Sequence, residues 1–410
     1  MYHFFFNAKS RVLCIIFLIL IVVGCGRSPQ DVLTVTMSLG EEEWAVFRDQ
    51  IFPLFEQKHR ITIHAHQIEA DRLATKLEAL QASEKQTIDV FAQDNMSLAA
   101  LINKNLVLDL SKYEKNISPE VLPNLIDSCK FNDRLYFMPF RPNVQIIYYN
   151  AKVFGKYGIR PPHSWQELLE VARTLKEKEG LGRILLKGFG GNPTATQVYE
   201  FVIQAGGDPY AFNDQGCIAA FEFLRSLAPY LSPETARAKW DTVNHILAQQ
   251  EAYFAINWPF GVVILIKDYG LKFIHTYPGL RGPVGRRHVI GGDVFGIPKN
   301  SGHKDWALKF IVFMQSREVQ EILVSRLGWP SIRNDAYGQV EEWQQPHFNN
   351  VQRALENGVF RGNITWWPLY KKYVNLAFKD IVMNQAPVKA TLDKYKTLLE
   401  KDKEHFLKDP

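Results

Sequence analysis

The sequence predicts an α/β protein built from two units, and two observations carry that prediction. Strand-like and helix-like stretches alternate along the chain, first with Leu33, Val35 and Met37 at period two, then with apolar residues at helical spacing from Trp44 to Phe55. The length of 410 residues also exceeds what one ordinary hydrophobic core holds. We therefore expect parallel sheets with helices on their faces, arranged as two units that face one another across a cleft.

The first unit continues this alternation. The stretch RITIHAHQI is typical of a strand, DRLATKLEALQAS of a helix with one leucine face, and TIDVFA of a third strand. Because parallel sheets bind ligands beyond the carboxyl ends of their strands, the residues that follow each strand are candidate site residues. Glu42 and Glu43 follow the first strand, and Asp94 follows the third. For the two glutamates the alternative is a favourable interaction with the N-terminus of the next helix.

A second unit is predicted from FMPFRPNVQIIYYN onward, where two prolines interrupt the pattern before a buried strand. Ser164 and Glu167 form a capping box at the start of a helix that Gly180 ends. The predicted strands ILLKGF and AYFAIN are each followed by polar or aromatic residues, and Trp258 comes directly after the second of them.

The N-terminal segment predicts export. Uncharged residues 12–23 follow Lys9 and Arg11, and they are too few for a spanning helix, which needs about 20 apolar residues. They end in VVGC, which resembles the lipobox of bacterial lipoproteins. We expect residues 1–24 to be a cleaved signal peptide and Cys25 to be the acylated first residue. An uncleaved anchor helix is the alternative, and either arrangement leaves the rest of the chain outside the cytoplasm.

Composition and motifs exclude several function classes. A net charge of +5 is no electrostatic footprint for nucleic acid. The sequence contains no G-x-S-x-G, P-loop, Rossmann glycine fingerprint or H-E-x-x-H motif, and we expect no metal and no cofactor. Glu42, Asp94 and Asp293 could supply paired carboxylates, so a glycoside hydrolase is the enzymatic alternative. Cys129 and Cys217 either pair or, as we favour, remain two separate buried thiols.

Several segments, taken in order, resemble family 1 extracellular solute-binding proteins, the substrate-capturing subunits of ABC importers for oligosaccharides and related solutes. The segments are IFPLFEQKHRITI, YFMPFRPNVQIIYYN, AGGDPYAFND, EAYFAINWPF, IGGDVFGIPKNSGHKDWALKF and GWPSIRNDAY. The resemblance implies two lobes joined by hinge strands, a type II-like periplasmic-binding-protein fold that closes over its solute. It also implies a lipid-anchored, non-enzymatic monomer that delivers a sugar to the transmembrane subunits of an ABC permease.

The same resemblance implies where the lobes begin and end. Crossings are expected around 140–143 and 290–293, with a third link near 330–334. Lobe 1 would comprise 33–140 and 291–330, and lobe 2 would comprise 141–290 and 331–410, behind a tether at 25–32.

The cleft of such a protein needs polar side chains for sugar hydroxyls and aromatic rings for the flat faces of the sugar. The resemblance places candidates at the two crossings, at the third link, after a strand of lobe 2 and in the C-terminal helices. With the strand-tip acids, the expected ligand-binding set is Glu42, Glu43, Asp94, Arg141, Asn143, Trp258, Gly292, Asp293, Arg333, Trp366 and Trp367.

Three alternatives stay open at this point. Only one of Trp366 and Trp367 is expected to meet the ligand, because successive residues face different ways. Arg141 and Arg333 either face the cleft, which would favour an acidic or phosphorylated solute, or form structural ion pairs. A polyol, a phosphorylated or non-sugar solute and a sensory receptor role are the remaining functional alternatives.

Overall fold

The structure is a computed structural model, and it describes residues 31–69 and 72–408. The predicted signal peptide and Cys25 lie outside the described residues. The strands are β1 Val32–Met37, β2 Thr62–Gln67, β3 Val90–Asp94, β4 Lys130–Phe131, β5 Arg134–Leu135, β6 Met138–Val144, β7 Ile146–Asn150, β8 Ile184–Leu185, β9 Phe254–Asn257, β10 Ile274–Tyr277, β11 His288–Gly296 and β12 Gly358–Phe360.

Helices of very different length cover the sheets. They are α1 Glu41–Val46, α2 Phe52–His59, α3 Leu73–Ala82, α4 Leu98–Asn103, α5 Pro123–Asp127, α6 Ala151–Lys156, α7 Trp165–Glu179, α8 Gly191–Gln204, α9 Gln215–Leu227, α10 Trp240–Ala248, α11 Lys304–Met314, α12 Arg317–Leu327, α13 Gln345–Glu356, α14 Trp367–Phe378 and α15 Val388–Lys408. No helix of the described chain is both long enough and apolar enough to cross a membrane.

Local signals in the sequence explain where several elements begin and end. Ser164 Oγ accepts from the Glu167 N–H at 3.2 Å, and Gly180 closes α7 in the left-handed conformation at φ 74°. The predicted helix from Trp44 onward is interrupted by a π-helical turn, Phe47–Ile51, just before Pro53 enters the first turn of α2.

The first sheet has the strand order β12-β11-β3-β1-β2, and β6 also pairs with β11. Strands β1, β2 and β3 run parallel, as predicted from the alternation of strands and helices. The prediction of purely parallel sheets is wrong for the long strand β11, which runs antiparallel to both β3 and β6. It is also wrong for the second sheet, of order β10-β7-β9-β8, where β7 is antiparallel to both neighbours.

At the first crossing, a single residue separates a strand of the first sheet from a strand of the second. Strand β6 ends at Val144 in the first sheet, and β7 begins at Ile146 in the second, so only Gln145 lies between them. The two segments predicted to cross between the lobes, 140–143 and 290–293, pair with each other. Gly292 lies opposite Pro142 in the β11–β6 ladder. The joint between the sheets therefore consists of two hydrogen-bonded strands.

Buried polar side chains lie at this joint. Lys187 is fully buried, and its ammonium donates to Gln145 Oε1 and to the Ile256 carbonyl, both at 2.6 Å. Glu200 Oε2 accepts from the Val289 N–H at 2.9 Å, where β11 begins. Desolvation lowers the pKa of Lys187 to about 7, against the opposing field of Glu200.

The third link differs from its predicted place near 330–334. Ile332 is fully buried and its carbonyl accepts from the Leu122 N–H at 3.0 Å, and the chain rejoins the first sheet at β12. The chain then passes to the helical side of the second sheet at Gly362, whose carbonyl accepts from Tyr210 Oη at 2.8 Å. Nothing local in the sequence distinguishes the segment near 330–334 from the segment at Gly362 as the point of passage. The lobe boundaries given above stay a prediction.

The two cysteines within the described chain are separate buried thiols, as the sequence favours. Burial raises the pKa of Cys129 to about 12, and it also raises the pKa of Cys217. The thiolate, which is the reactive form, is therefore strongly disfavoured at both positions.

Candidate ligand-binding cleft

Three charged side chains form a row across the first sheet. Asp293 on β11 lies directly opposite Asp94 on β3 and, on its other side, opposite Arg141 on β6. Residues paired across strands point to the same face, so their side chains are neighbours. The Arg141 guanidinium forms an ion pair with Asp293, and it lies 3.4 Å from Glu43 Oε1 at the start of α1. Four of the predicted site residues therefore meet at the carboxyl ends of β1 and β3.

Arg141 is closely surrounded by its own partners. Besides the two carboxylates, its guanidinium stacks over the Trp329 ring at 4.2 Å from the ring centroid. Cation–π contact and two charge-assisted hydrogen bonds leave this side chain little to offer a ligand. The surroundings favour the structural ion pair, which the sequence left open.

The Asp94 carboxylate uses less of its hydrogen-bonding capacity within the protein. One oxygen, Oδ1, accepts from the Met96 N–H at 2.8 Å. Desolvation raises the pKa of Asp94, and the neighbouring Asp293 charge adds to that effect, whereas the Arg361 guanidinium opposes it. This carboxylate is only half-buried, so it remains accessible for a further hydrogen bond.

Arg361 is a site residue that the sequence analysis missed. It follows β12, it is only 4 % exposed, and its guanidinium donates to Thr196 Oγ1 at 2.7 Å and to Asn95 Oδ1 at 3.3 Å. Its Nε finds no acceptor among the described residues. Both hydrogen-bonding partners are neutral, and burial lowers the pKa of Arg361. A buried cation with an unused donor is poised to bind an oxygen atom.

Trp258 lies beside this arginine. A Cβ placed on Gly291 would come within 3.1 Å of Trp258 Cη2 and 3.5 Å of Arg361 Nη2, so the glycine lets both approach the strand. The indole packs edge-on against Trp240, with ring centroids 6.0 Å apart. Because Trp258 directly follows β9, it brings an aromatic ring from the second sheet to the edge of the first.

The neighbouring tryptophans 366 and 367 face different ways, as expected. Trp367 Nε1 donates to Asn192 Oδ1 at 3.0 Å, and the Arg361 guanidinium lies 5.6 Å from the Trp367 ring centroid. Trp366 instead packs on Tyr210 and under Lys403, away from that arginine. Only Trp367 is brought to the Arg361 site.

The sequence and the fold both place the chain among known proteins. The model of the bacterial extracellular solute-binding protein family matches residues 50–350. The chain belongs to this family. An uncharacterized ABC transporter extracellular-binding protein of Pyrococcus horikoshii is 27% identical to this solute-binding protein over 312 residues, covering 70% of this chain and 68% of the relative.

Solved structures resemble the solute-binding protein over most of its length. The sugar-binding protein MalE of Xanthomonas citri superposes with a TM-score of 0.77 at 19% identity, covering 92% of this chain and 100% of MalE. Maltose-bound MalE3 of T. maritima gives a TM-score of 0.73 at 20% identity, covering 90% and 99%. At such identities the likeness establishes the fold, and it confirms the predicted two-lobe α/β class.

Other predicted site residues of this solute-binding protein lie apart from Arg361. Arg333 is buried and forms a two-pronged ion pair with Asp335, at 2.7 and 2.8 Å, and it also donates to Ser118 Oγ at 2.8 Å. That pair holds the pKa of Asp335 below its usual range. Glu42 is exposed on α1. Both observations favour local roles over contact with a ligand.

Asn143 and Gly292 lie on the paired crossing strands. Asn143 is half-buried opposite Gly291, and Gly292 has φ 115°, where a Cβ would lie 2.0 Å from the Arg141 carbonyl oxygen. The glycine is therefore required by the close approach of the two strands. Within the described residues, no group of three or more His, Cys, Asp or Glu side chains is arranged to hold a metal.

Proposed function

We propose that this chain binds a neutral, polyhydroxylated solute, a carbohydrate, between Asp94 and Arg361. Membership of the extracellular solute-binding family gives the coarser function, which is capture of a small molecule outside the cytoplasm. The carbohydrate class is the finer step, and the chemistry of these two side chains supports it.

The proposal rests on a hydrogen-bond acceptor, the Asp94 carboxylate, that lies near a donor, the Arg361 guanidinium. Asp94 is influenced by the Arg361 charge, yet the guanidinium donates to neutral oxygens instead. An ionised carboxylate only accepts hydrogen bonds and a guanidinium only donates them, whereas a hydroxyl does both. A hydroxyl can therefore bond to both at once.

The same pair disfavours charged solutes. A phosphate or carboxylate would approach Asp94 and Asp293, and an ammonium group would approach Arg361, so either would meet like charge. Trp258 and Trp367 lie on the same side as Arg361 and supply flat apolar surface for the C–H faces of a sugar ring. Among the structurally similar proteins, MalE3 of T. maritima was solved with maltose.

We further propose that the chain acts as a monomer anchored through an acylated Cys25, and that it delivers the solute to an ABC permease. The relative from Pyrococcus horikoshii is named as an ABC transporter component, which supports this partner. Binding without turnover is part of the proposal, since the family is defined by capture of a solute.

Thermal melting tests the proposal. The chain expressed from Gly26, which contains every described residue, would be melted with oligosaccharides, monosaccharides, polyols and sugar phosphates. A ligand at 100 times its Kd adds about 2.7 kcal/mol of stability, which shifts the melting temperature visibly. We expect a shift with neutral sugars that is lost in Asp94→Asn and in Trp258→Ala.

Two results would overturn the proposal. A shift with sugar phosphates alone would assign an anionic solute, and released reducing ends after prolonged incubation would indicate a hydrolase. Glu42→Gln is the matched control for the loss of one carboxylate, because Glu42 is exposed on α1, and it should leave the shift unchanged.

A further inference from the structure

A second cavity lies outside the cleft, beside the joint between the two sheets. Its volume is about 620 Å³, within the range of small-molecule sites. None of the predicted cleft residues lines it. Its walls are a π-helical turn, Val263–Asp268, with the loop that follows, the edge strand β10, and α13 with the turn before it.

The cavity is bounded by elements from both sides of the joint. Strand β10 is the edge of the second sheet. Helix α13 is fixed on the first-sheet side, where Phe348 packs with Val324 and Tyr337. The two walls touch, because Thr276 Oγ1 lies 2.8 Å from His347 Nδ1 and the Thr276 carbonyl accepts from Asn350 Nδ2 at 2.9 Å. These contacts form a continuous floor.

The lining combines apolar surface with positive charge. Ile266, Trp343 and Pro346 supply apolar surface, and Lys267 and Lys272 supply ammonium groups. No carboxylate belongs to the lining. The nearest acids on these segments are three exposed side chains outside the lining, namely Asp268 beside Lys267, and Glu341 and Glu342 before Trp343. Glu341 accepts from the Trp343 indole N–H at 2.9 Å.

One histidine of the lining, His347, adds no charge there at neutral pH. Desolvation, followed by the field of His275, lowers the pKa of His347 to about 4, so that ring is neutral. The positive charge therefore comes from the lysines, on long side chains that can reach an anionic group at the mouth. The indole of Trp343 is held by its hydrogen bond to Glu341 and presents a fixed aromatic surface.

We propose that this cavity binds a small aromatic carboxylate, with the ring on Trp343 and Pro346 and the carboxylate toward Lys267 and Lys272. The site is separate from the cleft and does not depend on the carbohydrate proposal. The apolar walls account for the ring, and the two ammonium groups account for the negative charge.

Calorimetric titration with 2-naphthoate and its neutral analogue 2-naphthalenemethanol tests the proposal. We expect saturable binding of naphthoate to the chain expressed from Gly26, and weaker binding of the neutral analogue. Reversal of both lining charges, Lys267→Glu with Lys272→Glu, should weaken naphthoate by roughly tenfold or more. The matched control is Lys152→Glu with Lys178→Glu, two exposed lysines elsewhere, and it should leave binding unchanged.

Two further variants separate this site from the cleft. Trp343→Ala should weaken both probes, because both use the aromatic wall, and Asp94→Asn should weaken neither. Absence of saturable binding up to about 1 mM, a weak affinity by any measure, would overturn the proposal. So would equal naphthoate affinity in the charge-reversed and control variants, or loss of naphthoate binding in Asp94→Asn.

Discussion

The surroundings of Arg141 and of Arg361 differ, although the charges of both arginines act on Asp94. Arg141 contacts two carboxylates and an indole ring, so its charge is matched within the protein. Arg361 is more deeply buried, yet among the described residues it bonds only neutral oxygens and its Nε finds no acceptor. Burial alone therefore does not identify a structural arginine; the partners do.

Gly292→Ala should give the largest effect, and it acts on the Arg141 side. The new Cβ would lie 2.0 Å from the Arg141 carbonyl oxygen at φ 115°, so the paired strands would have to separate. We expect a loss of about 3 kcal/mol in the free energy of unfolding, measured in urea. Gly291→Ala is the matched control, since its Cβ meets Trp258 Cη2 at 3.1 Å, and it should cost clearly less. Equal stabilities for the two variants would contradict this prediction.

Arg361→Met should weaken binding of the solute identified by melting about 30-fold, because a charge-assisted hydrogen bond worth about 2 kcal/mol is lost. The measurement is the Kd by calorimetry. Arg333→Met is the control, since that arginine bonds Asp335 and Ser118, and its Kd should stay unchanged even if its melting temperature falls. An unchanged Kd in Arg361→Met would remove the distinction between the two arginine regions.

Arg141→Met should lower stability more than affinity. Glu43 and Asp293 would lose their counter-ion, and since both are partly exposed we expect a loss of about 1–2 kcal/mol in the free energy of unfolding. The Kd should change less than threefold, which is below about 1 kcal/mol. A loss of affinity as large as that of Arg361→Met would show that Arg141 also contacts the solute.

Lys187 extends the comparison to a third buried cation, whose expected effect is small at each step of pH. Its folded pKa of about 7 lies below the ordinary lysine pKa of 10.5, so the unfolded chain binds more protons between these values. Stability should therefore rise with pH across that window by of order 1 kcal/mol per unit, and the cost of burying this charge is fully present below about pH 7.

The test compares the wild type with Lys187→Met by urea unfolding from pH 7 to 10. The rise should flatten in the variant, even if its absolute stability falls because Gln145 loses a donor. Glu200 and His288, 3.6 Å apart, face the same buried space, and they remain in both proteins. Parallel slopes would contradict the lowered pKa.

The sequence predicted those parts of the fold that depend on neighbouring residues. The period of two in β1, the N-cap at Ser164 and the stop at Gly180 are local signals, and each lies where the pattern places it. The predicted capping box is only half formed, because the Glu167 carboxylate accepts from the His163 N–H instead of the Ser164 N–H. The antiparallel entry of β11 depends on a pairing between distant strands, which no local pattern contains.

Some residues of the candidate site could likewise be predicted from local patterns, and others could not. Asp94 and Trp258 could be named because Asp94 ends a strand with a clear pattern and Trp258 directly follows one. Arg361 could not, since β12 is only three half-buried residues long and shows no period. Its position after a short GVF stretch and before GNITWW was the one signal available. That Asp94, Asp293 and Arg141 form a row follows from strand register, which tertiary contacts decide.

The two buried thiols have a practical consequence for following capture of the solute. Neither Cys129 nor Cys217 exposes a reactive thiolate, and the chain from Gly26 lacks Cys14 and Cys25. A cysteine introduced at the exposed position Glu42 would therefore be the site at which a maleimide dye attaches. A single attached fluorophore at the rim would then report solute capture as a change in emission, without removal of any native residue from the core.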